Sequence, residues 1–285
     1  MIRLLTVVGH GTKLIPHFIE HYEKIVDEIQ IVVYENDLHR NLVDEVSQII
    51  KPHPTVKIVK TLYDRVFDWE KVTQLYNYVK KDHPNDWWVI ADIDELHLYP
   101  RNDLRGLITD CELNNWDMVR GGFIDRVGVD GEFPELKENE NIWKQFPNAG
   151  FFRYPLSNAC PNKVCVMRGY IEITSGQHYA KIDGHTTWRW QGWNHPLIAP
   201  IDTHSVQVHH FKWDKTSVER IRNVASINQE YAYSTEYRRM YDSLKKTRFK
   251  IDLNNQTFMF EQNQTTPKFG QYKQWGKLIR KIIAI

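Results

Sequence analysis

WWVIADIDELHLYP, running from Trp87 to Pro100, decides the fold. An almost continuous apolar run stops at three carboxylates, Asp92, Asp94 and Glu95, with His83-Pro84-Asn85-Asp86 breaking the chain upstream and Pro100 downstream. A short apolar run between such breakers reads as one strand buried on both faces, the kind found inside a covered sheet. The acids then stand where the strand leaves the sheet, and in open α/β sheets ligands bind beyond the carboxyl ends of the strands. In extended backbone Asp92 and Asp94 project to one side and Ile93 to the other. Two carboxylates about 5 Å apart repel by roughly 3 kcal/mol at an effective dielectric of about 20. Protonation of one acid, a Lys or Arg partner, or a hard cation relieves that repulsion, and an all-oxygen set suits Mg2+ or Mn2+. A solvated loop start, with Asp94 or Glu95 capping the next turn, is the plainer reading of the same tetrapeptide.

Working outward, RLLTVV (3–8) reads as a strand and LIPHFIEHYEKIVD (14–27) as a helix, with Pro16 in its first turn. QIVVYE (30–35) is a second strand, 38–50 a helix carrying Leu42, Val43, Val46, Ile49 and Ile50, VKIV (56–59) a third strand, and 67–81 a third helix. This βαβαβαβ order over the first 95 residues predicts an α/β fold, with a mostly parallel sheet, right-handed crossovers and helices on both faces. Neither GxGxxG nor GxxxxGK[ST] is present, since Gly9 and Gly11 lack the remaining glycines. A nucleotide bound here therefore needs another phosphate partner, and a cation at Asp92 and Asp94 supplies one. Beyond Pro100 the pattern loosens. MVRGGFID (118–125), KVCVMRG, YIEIT and SVQVHHFKW (205–213) read as strands, 128–162 as a loop-rich stretch, and about 214–245 as helices. That is a mixed-sheet half whose loops suit a variable binding surface.

Composition narrows the partners. The chain has 285 residues, enough for one large domain or two small ones. With 37 basic and 36 acidic residues the net charge is +1, so no global field draws nucleic acid or an anionic membrane. Cys111, Cys160 and Cys165 are an odd, sparse set that fits a reducing compartment and core packing. The start MIRLLTVVGHGTK has too short an apolar segment for a signal peptide, and nothing reaches the roughly 20 apolar residues of a membrane span, so a cytoplasmic location is expected. Trp188, Trp190 and Trp193 fall in one Gly- and His-containing loop, where buried packing is the less obvious explanation.

With these residues assembled, the chain resembles the GT-A fold glycosyltransferases, specifically the family 2 and family 92-like group, over roughly residues 1–240. LIPHFIEHYEKIVDEIQIVVYEND is similar to that group's first helix and second strand, and WWVIADIDEL to its DxDE metal motif. IDRVGVDGEFPEL with Gln145-Phe146-Pro147 looks like its "DR…DG…QFP" segment. KVCVMRG, Gln177-His178-Tyr179 and His209-His210-Phe211-Lys212-Trp213 resemble its closing elements. One departure is Gly9-His10-Gly11-Thr12, where the group often carries Asn-Glu, which leaves the nucleobase contacts there open.

The resemblance implies a Rossmann-like nucleotide-binding half (1–100) merged with a mixed-sheet acceptor half (101–245) in one domain (1–245), followed by an extension (246–285). It implies transfer of a sugar from a nucleoside diphosphate sugar, UDP-sugar foremost, to a hydroxyl of a glycan or glycolipid acceptor, with Mn2+ or Mg2+ bridging protein and diphosphate. Asp94 is then the main metal ligand, with Asp92 at the metal and on the ribose or donor sugar, and Glu95 in support. His209 or His210 closes the coordination shell; adjacent strand residues face opposite ways, and the motif favours His210. Asp37, Lys163 and Lys212 fall on the donor side, and Arg126, His178 and Trp190 on the acceptor side. An inverting reaction needs a carboxylate base, for which Asp125 is the first candidate and Asp183 the reserve, although a turn pairing of Asp125 with Arg126 is the structural alternative. Two rival functions stay open: a phosphohydrolase using Asp92 as nucleophile, which ordinarily places its DxD after the first strand, and a non-catalytic carbohydrate-binding protein. The tail WGKLIRKIIAI sets Trp275, Leu278, Ile279, Ile282 and Ile283 opposite Lys277, Arg280 and Lys281, a pattern for peripheral membrane contact or for docking on its own domain.

Overall fold

The computed structural model describes residues 1–152, 156–157, 160, 162–182, 184–186, 195–226, 234–253 and 258–259. Asp183, the Trp190 loop (187–194) and the amphipathic tail lie outside the described residues. In chain order the elements are β1 (Ile2–Val8), α1 (Ile15–Tyr22), β2 (Glu28–Glu35), α2 (Leu42–Ile50), β3 (Val56–Tyr63), α3 (Trp69–Lys80), β4 (Trp87–Ile90), β5 (Glu95–Leu98), α4 (Leu104–Asn114) and β6 (Met118–Val127). There follow α5 (Ile142–Gln145), β7 (Asn148–Phe152), β8 (Asn162–Arg168), β9 (Glu172–Ile173), β10 (Ala180–Ile182), β11 (His185–Thr186), α6 (Ile201–His204), β12 (Val206–His210), α7 (Lys215–Ser226), α8 (Ser234–Lys246) and β13 (Phe258–Met259). The class is α/β with a mixed sheet. Two compact units divide the chain: Met1–Gly122 with Asn162–Val208, and Phe123–Pro161 with His209–Ile285.

In the first unit β3, β2, β1 and β4 lie side by side in parallel, and β8 joins β4 antiparallel. The first residues of β6 pair antiparallel with β8. Strand order reverses between β1 and β4, which makes their carboxyl ends the topological switch point of the sheet. Every residue of β1 and of β4 is buried, as a strand covered on both faces requires. Alternation sends Leu5 and Val7 to the face where Leu75, Tyr76 and Val79 of α3 pack with Tyr34, Trp88 and Ile90. Asp68 caps α3, its side chain accepting from the Glu70 amide at 2.8 Å.

Several boundaries differ from the sequence reading, each for a local reason. The strand over WWVIAD ends at Ile90, and the acids do not continue in extended backbone: the Glu95 amide donates to the Asp92 carbonyl at 2.9 Å and closes a turn. The Asp92 amide donates in turn to Glu95 Oε2 at 3.3 Å, and Tyr22 Oη holds the Glu95 carbonyl at 3.0 Å, so local bonds outcompete the sheet. Helix α1 stops at Tyr22, whose carbonyl accepts from Ile25 and Val26, while Asp27 Oδ2 takes the Ile2 amide at 2.8 Å. Helix α2 starts late because Asn36 Oδ1 accepts from the Leu38 and His39 amides in an Asx turn. β3 runs on to Tyr63 because its pairing with β2 continues past a bulge at Ile31/Val32. Helix α4 has no counterpart in the sequence reading, although Leu104, Leu107, Ile108 and Cys111 are all buried on it at helical spacing.

In the second unit the end of β6 pairs antiparallel with β7 through Asp125↔Gly150 and Val127↔Asn148. Its core joins Val127, Phe152, Leu156 and Trp213 to Ile221 of α7 and Met240 and Leu244 of α8. Gly131, at φ +77, presents its Cα where a Cβ would sit 1.8 Å from the Ile251 carbonyl oxygen, so glycine alone fits that crossing. Among the described residues no helix is long and apolar enough to cross a membrane.

Candidate functional site

The acid turn at the carboxyl end of β4 gathers Asp92, Asp94 and Glu95, with one ligand oxygen of each within 4.8 Å of the others. Residues distant in sequence converge on it. Tyr76 Oη, from α3, donates to Asp92 Oδ1 at 2.8 Å. Gln177 Nε2 approaches the same oxygen at 3.4 Å, and Lys163 Nζ, from β8, lies 3.3 Å from Asp92 Oδ2. That ammonium is also 2.8 Å from Glu95 Oε1, donates to the Gly176 carbonyl at 3.2 Å and bonds Gln177 Oε1. Gln177 holds a left-handed backbone, φ +53, next to Gly176 at φ +71. A non-glycine residue kept in that region is the kind of local strain that clusters at binding sites.

The electrostatics are set by burial. Burial pushes the Asp92 carboxyl up, against the pull of Lys163, and Glu95 and Asp94 push it in the same direction. Burial also opposes the charge on Lys163, but Asp92 and Glu95 outweigh it and lift its pKa above the ordinary lysine value. Lys163 pairs with two members of the cluster, Asp92 and Glu95. His97 is sealed beside this group, its Nε2 3.9 Å from Glu95 Oε2, and among the described residues neither ring nitrogen has a hydrogen-bond partner. Burial, with the Lys163 charge adding to it, pushes that imidazole down to about 3. His178 Nδ1 bonds the Asn162 carbonyl at 2.8 Å, and burial lowers it to about 4.

The second unit holds a separate constellation on two faces of β6. Asp125 is 6% exposed and accepts three bonds: His210 Nδ1 at 3.0 Å and Trp213 Nε1 at 2.8 Å on Oδ1, and the Phe152 amide at 3.3 Å on Oδ2. Arg126 points the other way, its Nε donating to His209 Nδ1 at 3.0 Å and its Nη1 to the Pro147 carbonyl at 3.3 Å, with the guanidinium 5.1 Å from the Trp143 ring centroid. Asp125 and Arg126 are therefore not partners, as strand alternation requires. Burial lowers Arg126 to about 10, and among the described residues its Nη2 is without a hydrogen-bond partner.

Of the remaining candidates, Asp37 is exposed and accepts from Tyr63 Oη at 2.7 Å and from Arg40, which together hold its carboxyl below the usual range. Lys212 Nζ donates to Tyr237 Oη at 3.4 Å and lies over the Tyr237 and Trp213 rings. Asp183 and Trp190 lie outside the described residues. Sequence reasoning missed Tyr76 and His97 and gave Gln177 no role of its own. Tyr76 sits on the apolar face of α3, where only its hydroxyl hinted at a polar partner.

No protein-family model matches the chain, and no curated protein does. Among solved structures the neighbours are nucleotidyltransferases and glycosyltransferases at low identity. One described as a glucose-1-phosphate thymidylyltransferase from Bacillus anthracis, in complex with a sucrose, matches at TM-score 0.40 and 11% identity, over 84% of this chain and 99% of that one. A mannosyltransferase from Pyrobaculum calidifontis, in complex with GDP-Man and Mn2+, matches at 0.39 and 12%, over 84% and 68%. A UTP-bound UGPase from Acinetobacter baumannii matches at 0.33 and 10%, over 86% and 100%. Each likeness is distant.

Proposed function

We propose that this chain is a divalent-cation-dependent glycosyltransferase that moves a sugar from a nucleoside diphosphate sugar, a UDP-sugar foremost, to a hydroxyl of a glycan or glycoconjugate. The observation that carries the reading is the convergence of Asp92, Asp94 and Glu95 at the carboxyl end of β4, with Lys163 paired to Asp92 and Glu95. The donor atoms are all oxygen, which fits Mn2+ or Mg2+. Asp94 and Asp92 would hold the ion. Glu95, committed to Lys163 and to the Asp92 amide, would fix the turn instead. When bound, such an ion neutralises a diphosphate and makes it a better leaving group.

The chain's own residues orient the rest. Tyr76, Gln177 and Lys163 fix the rotamer of Asp92, so its carboxylate is set before ligand arrives. The loop after β1 lies against the acid turn: a Cβ on Gly11, at φ +72, would sit 3.4 Å from Ile93 Cδ1. Lys13, exposed on that loop, would meet phosphate. Phe67 covers Gly9, stacks on Tyr34 at 4.9 Å and contacts Trp69, an aromatic platform for the nucleobase where the resembling family often carries Asn-Glu.

Titration calorimetry of UDP, GDP and CMP with and without Mn2+ tests the reading. UDP or GDP binding that appears only with Mn2+ is the expected result. No nucleotide binding under either condition overturns it, and pyrophosphate release from UTP with a sugar 1-phosphate would assign nucleotidyl transfer instead.

A further inference from the structure

Helix α3 holds Asp92 by two routes, both inside the first compact unit. Tyr76 reaches the carboxylate directly, its Oη 2.8 Å from Oδ1. The second route starts at Asn77, the next residue of the helix, whose side-chain amide grips Ile173 of β9. Nδ2 donates to the Ile173 carbonyl at 2.9 Å, and Oδ1 accepts from the Ile173 amide at 2.9 Å. One side chain thus satisfies both main-chain groups of one residue, as a neighbouring strand would. Lys80, also buried, donates to the Ile171 carbonyl and ties down the same segment. From Ile173 the chain enters a tight turn, in which the Gln177 amide donates to the Thr174 carbonyl at 3.0 Å and the Thr174 amide to the Tyr179 carbonyl at 2.9 Å. Gly176 and Gln177 follow one another in left-handed backbone, and a non-glycine residue persists there only where the surrounding contacts over-determine it. At the tip of this turn the Gly176 carbonyl and Gln177 Oε1 take the Lys163 ammonium, and Gln177 Nε2 reaches Asp92 Oδ1.

We propose that Asn77 is a positioning residue for the cation site: by clamping Ile173 it sets the turn that aims Gln177 at Asp92 and holds Lys163 in place. The role in cation binding rests on the transferase reading; the coupling of Asn77 to Gln177 rests on the hydrogen bonds alone. Two consequences of losing the clamp have the same sign. Without Gln177 the Asp92 carboxylate is less firmly set, and a ligand that must first be ordered binds more weakly. Without the Gly176 carbonyl and Gln177 Oε1, the Lys163 ammonium turns wholly to Asp92 and Glu95 and competes with a cation for their oxygens. A merely structural Asn77, fastening β9 to α3, would lower stability and leave the affinity of Asp92 as it was.

The experiment is calorimetry of Mn2+, with and without UDP, on the full chain and on Asn77→Leu, Gln177→Ala and the double variant. Asn77→Leu should weaken Mn2+ binding by about tenfold, the low end of the range for groups that orient a metal ligand, and Gln177→Ala by at least as much. The double variant should lose no more than Gln177→Ala alone, because Asn77 acts through Gln177. Ile108→Ala, a core cut in α4 compared at a similar fall in urea midpoint, should keep Mn2+ affinity within about twofold. Wild-type affinity in Asn77→Leu overturns the proposal, as do additive losses in the double variant or an equal loss of affinity in Ile108→Ala. If Asn77→Leu does not fold, Asn77→Asp, which keeps an acceptor for the Ile173 amide and removes the donor to its carbonyl, carries the same predictions. Failure of the transferase reading shows separately, as a wild type that binds neither Mn2+ nor UDP. In that case 15N spectra of the metal-free chain decide the coupling: a Gln177 side-chain amide shifted in Asn77→Leu and unmoved in Ile108→Ala is expected, and unchanged Gln177 resonances in Asn77→Leu overturn it.

Discussion

Lys163 Nζ stands 2.8 Å from Glu95 Oε1, with the two side chains only 3% and 1% exposed. An ion pair this well sealed is costly to break from one side, because the survivor is a buried charge without its counterion. Lys163→Met should therefore destabilise the fold by about 3–5 kcal/mol, and Glu95→Gln in the same chain should recover most of that loss. Urea unfolding of the two single variants and the double variant measures the coupling; additive losses would show that Glu95 is held by other partners.

Beside Asp92, which is gripped by Tyr76, Gln177 and Lys163, and Glu95, which is bound to Lys163, the proposed function gives the cation chiefly to Asp94. It is also half-buried at the turn, so its removal opens no cavity in the core. Asp94→Ala should abolish Mn2+-dependent UDP binding in calorimetry while changing unfolding stability by less than about 1 kcal/mol. Metal-dependent binding retained in that variant would remove Asp94 from the proposed ligand set.

The first half of the fold was legible because its signals are local. The apolar runs of β1, β2 and β4 and the amphipathic helices between them dictate the βαβ order, and that order dictates a parallel sheet. The acid turn was legible as a position but not as a shape. Extended backbone looked natural for an apolar run, yet the bonds from the Asp92 amide to Glu95 and from Tyr22 to the Glu95 carbonyl fold it back. Lys163 could be named but not placed: its meeting with Asp92 and Glu95 depends on β8 pairing antiparallel with β4, as in Val89↔Val166, which no local pattern encodes. The Asp125–His210 contact is likewise a long-range product. Strand alternation limited it to one histidine of the pair, and only the structure shows that Nδ1 faces a carboxylate.

His21 carries an acid-sensitive share of stability. Its Nε2 bonds the His97 carbonyl at 2.8 Å, and burial pushes its imidazole down to about 4, with His97 adding to that push against the carbonyl bond. The unfolded value is about 6.5, so the unfolded chain binds the extra proton between those limits and stability rises with pH across them. The contribution is complete above about 6.5 and is lost as pH falls toward 4, about 2 kcal/mol after allowing for partial exposure. His21→Gln, which retains a donor for the carbonyl, should flatten the stability profile between pH 7 and pH 4.5 by that amount. A variant whose urea midpoint falls as steeply as the wild type's would assign the acid limb to other groups.

Arg126 separates packing from charge. Its guanidinium is buried against Trp143 and bonded to His209 and the Pro147 carbonyl, Nη2 has no hydrogen-bond partner among the described residues, and burial lowers its pKa to about 10. No carboxylate balances it among these contacts, so the charge itself is a cost, and the aliphatic stem supplies the packing. Arg126→Met should thus be neutral or stabilising, within about 1 kcal/mol of the wild type, whereas Arg126→Ala should lose about 2–4 kcal/mol to the cavity beneath Trp143. Equal, large losses in both variants would mean that the hydrogen bonds to His209 and Pro147 hold this face together. A stable Arg126→Met chain also gives a clean test of the acceptor-side role: unchanged donor hydrolysis with weakened transfer to a glycan acceptor would place the guanidinium at the acceptor, and unchanged transfer would leave it a structural group.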